Sequence, residues 1–185
     1  MNKLKENVRL FNLNEFNYPK FRAKLVDLYL HSFTTGEYAQ YIDFESIEST
    51  LDDMLLHKGD GVMAFIYDRL VGLLIATPLK NDNEFPQNKY PALKIDHTIY
   101  IAEVMVHIDT RERGIASKMI LERLSKASSQ YTDVVIRVWD KNLPALHLYE
   151  KLGFKPIATI LQRKLTPSHE MFEMNKIYLH RKLTL

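Results

Sequence analysis

Residues 104–116, Val-Met-Val-His-Ile-Asp-Thr-Arg-Glu-Arg-Gly-Ile-Ala, constrain the fold of this chain most strongly. A strand rich in β-branched residues runs into a short polar turn, and a helix begins at Gly114. Such a unit aims several backbone N–H groups and the positive end of the helix dipole at one point. It predicts a site for an anion, most naturally a phosphate or pyrophosphate, although a plain turn with solvated arginines fits the same residues.

A second strand and helix follow along the chain. Residues 134–138 are typical of a strand, and a helix is predicted to begin at Asn142, a good N-cap. Pro144 is tolerated in the first turn of that helix, and Gly153 is suited to end it. Asn142 and Tyr149 lie two turns apart on one helix face, so an amide and a phenol are predicted to line the same groove.

Together, the patterns Arg-x-x-Gly-x-Ala and Asn-x-x-Ala-x-x-x-Tyr-x-x-x-Gly-Phe resemble the GNAT superfamily of acyl-CoA-dependent N-acyltransferases. The resemblance covers roughly residues 60–165, with both motifs in the family's order and separation. It implies an α+β fold of three layers, in which about four helices flank a mixed, mostly antiparallel twisted sheet of about six or seven strands. It also implies acetyl-CoA as cosubstrate and direct transfer of the acetyl group to a primary amine in a ternary complex.

The resemblance assigns the contacts with the cofactor to two segments and one helix start. Val104, Met105 and Val106 are implied to present backbone groups to the pantetheine arm, where the sheet splays apart. The turn implied to cradle the pyrophosphate consists of Arg111, Glu112, Arg113, Gly114, Ile115, Ala116 and Ser117. Small residues at positions 114 and 116 let phosphates approach the backbone, although the family has glycine more often than alanine at position 116. Asn142 is implied to reach the pantetheine, and capping the helix is an equally good role for it.

Two residues are implied to move protons. Tyr149 matches the family's tyrosine that protonates the CoA thiolate, whereas helical spacing alone would make it a core aromatic. Glu103 is our candidate for the base, and strand alternation puts it on the face of Met105 and opposite Val104. A carboxylate there is costly to bury without a partner, which fits either a base or a buried ion pair. His107 is a second candidate for the base.

Composition excludes several classes of function. The chain of 185 residues has no cysteine, which excludes disulfides, thiolate metal sites and a cysteinyl acyl-enzyme. Its net charge of +2 gives no electrostatic argument for nucleic acid, and no segment approaches the ~20 apolar residues of a membrane span. The seven histidines show no metal-ligand spacing. We therefore expect one cytoplasmic domain over residues 1–185, without a metal, a nucleic-acid partner or a membrane partner.

Periodicity and turn residues predict the order of elements along the chain. The predicted strands are residues 8–13, 61–67, 70–76, 98–106, 134–138, 158–165 and 176–183. The predicted helices are residues 20–33, 44–57, 114–129 and 142–153, and residues 80–94 form a long loop. A loop of this length is either a tolerated surface insertion or a gate over the substrate.

Acidic and aromatic residues are concentrated in residues 37–60, which the resemblance places beside the acceptor. The acids are Glu37, Asp43, Glu45, Glu48, Asp52, Asp53 and Asp60, and the interleaved aromatics are Tyr38, Tyr41 and Phe44. They predict a cationic small-molecule amine as acceptor, unless they form an ordinary solvated helix face. Arg137 stands where family members that acetylate ribosomal-protein N-termini carry a glutamate, so the chain does not resemble that branch.

Two other interpretations fit the same motifs. The chain could bind or sense acyl-CoA without catalysis, or it could be an unrelated α+β domain in which both motifs are only turns. An intact Tyr149 favours the enzyme over the binding module. A homodimer is compatible with the resemblance, since dimers are common in the family.

Overall fold

A computed structural model describes residues 7–36, 39–56, 59–127 and 131–183, and within these ranges one sheet is flanked by helices. The seven strands are β1 (Val8–Leu13), β2 (Asp60–Ile66), β3 (Arg69–Pro78), β4 (Thr98–Val106), β5 (Asp133–Trp139), β6 (Lys155–Leu165) and β7 (Met171–Lys182). The four α-helices in the described ranges are α1 (Tyr18–Thr34), α2 (Phe44–Leu56), α3 (Ile115–Ser125) and α4 (Leu143–Lys151). None of these helices is long and apolar enough to cross a membrane.

The sheet is mixed, and its helices form a layer on each face. The strand order is β1-β2-β3-β4-β5-β7-β6, and only the pair β4–β5 is parallel. Apolar side chains of α3 and α4 pack on one face, and those of α1 and α2 pack on the other. This arrangement confirms the predicted α+β architecture with its mostly antiparallel sheet.

Strand β3 shows why the sheet needs both layers. All of its residues except Arg69 are buried, so it is a continuous apolar run rather than an alternating one. A strand of this kind is covered on both faces. Leu74 packs on the α3/α4 side of the sheet, while Leu73 and Ile75 pack on the α1/α2 side.

The sheet opens between β4 and β5. Their parallel ladder joins only Thr98–Ile101 to Asp133–Ile136. Beyond it, β4 pairs only with β3 and β5 pairs only with β7. A β-bulge assists the opening, since Ile101 pairs with Ala76 and Glu103 pairs with Ile75, which leaves Ala102 as the extra residue. The far halves of β4 and β5 therefore diverge and leave a wedge-shaped gap.

The ends of several elements differ from the predictions. Helix α3 ends at Ser125 instead of Ser129, because its last turn tightens: Lys126 N–H bonds Arg123 O at 3.3 Å, and Ala127 N–H bonds Leu124 O at 3.1 Å. Ser129, like His57 at the predicted end of α2, lies outside the described residues.

The last hairpin and the first one also differ from the predictions. Strands β6 and β7 begin earlier than predicted, at Lys155 and Met171, since their outer parts are polar and exposed and so carry little apolar signal. The turn of the first hairpin is Tyr67–Asp68 rather than Asp68–Arg69.

Gly72 of β3 lets α3 approach the sheet closely. A Cβ atom added at this glycine would lie 3.1 Å from Ile115 Cγ2 and 3.1 Å from both Met119 Cε and Sδ. We expect Gly72→Val to lower the free energy of unfolding by about 1–3 kcal/mol, because overpacking forces α3 away from the sheet. Urea denaturation measures this change, with the smaller Gly72→Ala variant as the graded control. Stability unchanged within about 0.5 kcal/mol would contradict the expectation.

Candidate active site

The turn before α3 has the backbone shape that an anion site requires. Gly114 has φ +73° and Glu112 has φ +62°, so two residues in three adopt the left-handed conformation. Such turns gather backbone N–H groups into an anion-binding concavity. A Cβ atom added at Gly114 would meet nothing within 4 Å, so the space above this backbone is open.

Helix α3 adds its own N–H groups to this turn. Its first hydrogen bond runs from Lys118 N–H to Gly114 O, at 3.0 Å. The N–H groups of Ile115, Ala116 and Ser117 precede that bond and therefore have no acceptor within the helix. The side chain of Ile115 is 2% exposed and anchors the turn in the core.

Both arginines of the turn bind backbone carbonyls. Arg111 Nε donates to Val106 O at 3.3 Å, and an Arg113 guanidinium N–H donates to Asp109 O at 3.1 Å. These bonds tie the turn to the end of β4. The arginines thus shape the turn and keep their positive charge beside it.

The predicted pantetheine strand lies on the wedge. One edge of Val104, Met105 and Val106 pairs with β3, and the other edge faces the gap where β5 has diverged. Val104 and Val106 pack on the α3/α4 side of the sheet, whereas Met105 is buried on the α1/α2 side. The gap-facing backbone groups therefore suit an extended, amide-bearing ligand, as a neighbouring strand would.

Asn142 caps α4 at the far side of the wedge. Its side-chain oxygen accepts from Ala145 N–H at 3.3 Å, which is the capping role that its sequence position also fits. Its side chain is only partly buried.

Tyr149 of α4 is buried, with 6% of its surface exposed. Its ring meets Phe154 edge to face, with ring centroids 6.1 Å apart. Among the described residues no hydrogen-bond partner is found for its hydroxyl. Burial, and secondarily the negative charge of Glu103, raises the pKa of this phenol, so the proton stays on Tyr149 throughout the neutral range.

Glu103 is held by a residue that the sequence analysis did not identify. Tyr29 of α1 donates a hydrogen bond from its hydroxyl to Glu103 Oε1 at 3.1 Å. The carboxylate thus lies on the α1/α2 side with Met105, as strand alternation predicted. Burial raises the pKa of Glu103, while the Tyr29 hydrogen bond and the charge of Lys176 lower it. A carboxylate of raised pKa is a stronger base.

His107, the second candidate for the base, is engaged elsewhere. Its ring stacks on His31 with centroids 4.0 Å apart, and Nδ1 accepts from Asp109 N–H at 3.3 Å. Arg69 also donates to this ring, at 2.8 Å from Nε2. Burial and the neighbouring cations lower the pKa of His107. These contacts tie His107 to the turn before α3 rather than to Tyr149.

A charged cluster lies beside the wedge and was missed by sequence reasoning. Arg137 of β5 donates to Tyr178 Oη at 3.0 Å and to Glu84 Oε2 at 2.5 Å. Tyr178 in turn donates to Asp82 Oδ2 at 2.7 Å. Asp82 and Glu84 belong to the predicted long loop, which packs on the face of β4, β5 and β7 that is turned away from α3 and α4. Only Arg137 carried any signal in the sequence, as a charge at an inward strand position.

Four of the seven acids in residues 37–60 make contacts within the fold. Arg22 forms a two-pronged ion pair with Asp52, at 2.9 and 2.8 Å, and also binds Glu48. Asp43 accepts from Ser46 N–H at 2.8 Å at the start of α2, and Asp60 pairs with Arg123. These four carboxylates therefore serve internal contacts. Glu37 and Tyr38 lie outside the described residues.

The shape and the polar groups of this cleft fit acetyl-CoA. The open turn at Gly114 with the N–H groups of α3 suits a pyrophosphate, and the gap-facing edge of β4 suits the amides of pantetheine. Glu103 belongs to β4 and Tyr149 belongs to α4, the helix that follows β5, so the two residues come from the two strands that flank the wedge. The residues that would hold each part of the cofactor are thus present in order along one cleft.

Comparison with known proteins agrees with this geometry. The N-acetyltransferase of Staphylococcus aureus Mu50 has a similar structure, with a TM-score of 0.69 at 14% identity over 96% of this chain and 99% of that chain. YncA of Salmonella typhimurium, solved with its cofactor acetyl-CoA, gives a TM-score of 0.68 at 13% identity over 96% of this chain and 94% of that chain. NAA60 of Arabidopsis thaliana, solved with a bisubstrate analogue, gives 0.63 at 16% identity over 95% and 98%. At these identities the likeness shows the fold.

Sequence comparison extends the likeness from fold to family. No curated protein sequence matches the chain. The profile of the Acetyltransferase (GNAT) family, however, matches residues 19–154, which include both motifs and the wedge between β4 and β5. The chain therefore belongs to the GNAT family of acetyltransferases.

Proposed function

We propose that this protein transfers an acetyl group from acetyl-CoA to the primary amine of a small molecule, by direct attack in a ternary complex. The observation that carries the proposal is the divergence of β4, which carries Glu103, from β5, which leads into α4 and Tyr149, beside a turn shaped for a pyrophosphate. A base and an acid on the two sides of one cleft suit the two proton transfers that acetylation of an amine requires.

Each group would have one task. When bound, acetyl-CoA supplies an acetyl group activated as a thioester. Glu103 would take a proton from the amine, directly or through water, because its raised pKa makes it more basic than an ordinary glutamate carboxylate. Tyr149 would hold its proton for the departing sulfur, because its pKa is raised too far for it to ionise. Gly114 and the N–H groups of α3 would bind the pyrophosphate and set the position of the chain relative to both groups.

The charge of the acceptor is not part of this proposal. Four of the seven acids that predicted a cationic acceptor are engaged with Arg22, Ser46 and Arg123. The proposal does include a cytoplasmic location, where acetyl-CoA is available, and one domain over residues 1–185.

Calorimetric titration of acetyl-CoA into the wild type and a Gly114→Trp variant tests the cofactor site. We expect the wild type to bind and the variant to lose affinity by a factor of about 100 or more, because the indole would exclude a phosphate from several charge-assisted N–H contacts. Release of the CoA thiol with a panel of primary amines then measures turnover.

Gly153→Trp is the matched control, since Gly153 also has a left-handed backbone, φ +83°, and lies after α4 instead of at the turn. It should keep acetyl-CoA affinity, and circular dichroism should show both variants folded. Wild type that fails to bind acetyl-CoA would refute the proposal. Binding without turnover of any amine would leave a non-catalytic acyl-CoA-binding module as the function.

A further inference from the structure

The face of the sheet beside Glu103 carries three cations on neighbouring strands. Strand pairing sets Arg137 of β5 opposite Tyr178 of β7, and Lys176 lies two residues before Tyr178 on the same face. Lys164 of β6 lies on this face as well, in register with Phe172 of β7. Lys176 pairs with Trp139 at the end of β5, beyond the point where β5 has diverged from β4, so it lies at the same open end of the sheet as Glu103.

The acids of this face already have partners. Glu84 accepts from Arg137 and, at 2.9 and 2.6 Å, from Gln162, and these contacts lower its pKa against the effect of burial. Asp82 accepts from Tyr178 and lies 3.8 Å from Arg137. Arg137 is therefore matched by two carboxylates of the long loop.

The two lysines have no such match. Among the described residues, neither Lys164 nor Lys176 makes an ion pair or a hydrogen bond through its ammonium group. Lys176 is only partly exposed, and burial together with the charges of Arg137 and Lys164 lowers its pKa to about 8, against the opposite effect of Glu103 and Glu84. A half-buried ammonium that makes no ion pair or hydrogen bond is unfavourable, and a bound anion would relieve it.

A groove of a suitable size opens beside Lys164. Its volume is about 520 Å³, and its lining residues are Glu84, Leu161, Gln162, Arg163 and Lys164. This volume is in the range of small-molecule sites. Glu84 of this groove also binds Arg137, which connects the groove to the face of the sheet that carries Lys176.

We propose that the acceptor is an amino carboxylate, whose amine lies at Glu103 and whose carboxylate is bound by Lys176 with Lys164 at the rim. This inference rests on the proposed acetyltransferase function and names its substrate class. A polyamine or other multiply charged cation would place its extra positive charge beside two lysines that make no ion pair among the described residues. An amino carboxylate instead gives each charged group of this face an opposite partner.

Binding measurements test the inference without depending on turnover. Common α- and ω-amino acids are titrated into protein saturated with CoA. For each amino acid, its carboxamide and, where one exists, its phosphonate analogue are titrated in the same way. We expect at least one amino acid to bind ten- to a hundredfold more tightly than its carboxamide, because a charge-assisted contact to a partly buried lysine contributes about that much affinity. The phosphonate arm shows whether a second compact anion is accepted.

Substitutions of Lys176 then locate the effect. Lys176→Met should remove the preference for carboxylate over carboxamide, whereas Lys182→Met should not. Lys182 is an exposed lysine on the same face of β7, six residues or about 20 Å away. Lys176→Arg should keep the preference, and should keep it at about pH 9, where the wild type loses it as Lys176 deprotonates.

The outcomes separate this inference from the proposed function. Equal affinity for acid and carboxamide, tighter binding of a diamine such as putrescine, or a preference that survives Lys176→Met would overturn the amino-carboxylate acceptor. Binding of no amino acid at all would overturn it as well. Turnover of other amines in those cases would leave the acetyltransferase function standing, whereas Lys176-dependent binding without turnover would refute only the catalytic proposal.

Discussion

Replacing Tyr149 by phenylalanine is expected to lower kcat by a factor of about 100 to 10,000 while leaving acetyl-CoA affinity unchanged. The ring would keep its edge-to-face contact with Phe154, so the core around α4 should be preserved. Only the hydroxyl is lost, and no hydrogen-bond partner for it is found among the described residues. Steady-state kinetics with saturating amine, together with calorimetry of acetyl-CoA, separates the two effects.

Tyr131→Phe is the matched control, because Tyr131 packs against the same apolar cluster as Tyr149. It should retain full kcat. Since the pKa of Tyr149 is raised well above the neutral range, the wild type should show no loss of kcat from this group between about pH 6 and 9. Equal kcat for Tyr149→Phe and wild type would mean that another group or water protonates the sulfur.

Glu103→Gln is expected to lower kcat/KM by a factor of about 100 to 10,000. Glutamine keeps an oxygen that accepts from the Tyr29 hydroxyl, so the geometry seen at 3.1 Å should survive while the basic carboxylate is lost. The acidic limb of the pH profile of kcat/KM should disappear in the variant. In the wild type that limb should lie above the ordinary glutamate value of 4.5, because burial raises the pKa of Glu103.

The Tyr29→Phe variant tests the direction in which the pKa of Glu103 moves when its hydrogen bond is removed. The hydrogen bond from Tyr29 lowers the pKa of Glu103, so its removal should raise that pKa further. The carboxylate would then protonate at a higher pH, and the acidic limb of kcat/KM should move upward with little change at alkaline pH. A limb that stays in place in Tyr29→Phe, or that persists in Glu103→Gln, would assign the base to a different group.

Local chemistry made several elements predictable from the sequence. Strand β4 has the predicted bounds, Thr98–Val106, because its apolar run is long and is bounded by turn residues. Gly114 has the left-handed backbone that only glycine adopts without strain, and Asn142 caps α4 through its own side chain. Each of these features depends on residues that are close along the chain.

The edges of the elements were less predictable than their centres. Polar outer parts of β6 and β7 form strands because the two strands pair with each other, which no apolar pattern reveals. The end of α3 likewise depends on the geometry of its last turn.

What the sequence by itself determined is the family, the order of elements, and the turn and the tyrosine of the two motifs. The tertiary structure alone decided which charges meet. Arg22 forms an ion pair with Asp52, Tyr29 supports Glu103 across 74 positions of sequence, and the ammonium group of Lys176 makes no ion pair among the described residues. The physical reason is that ion pairing and burial depend on distance in space, and a chain folded into layers brings together residues whose spacing in sequence carries no information about their charge partners.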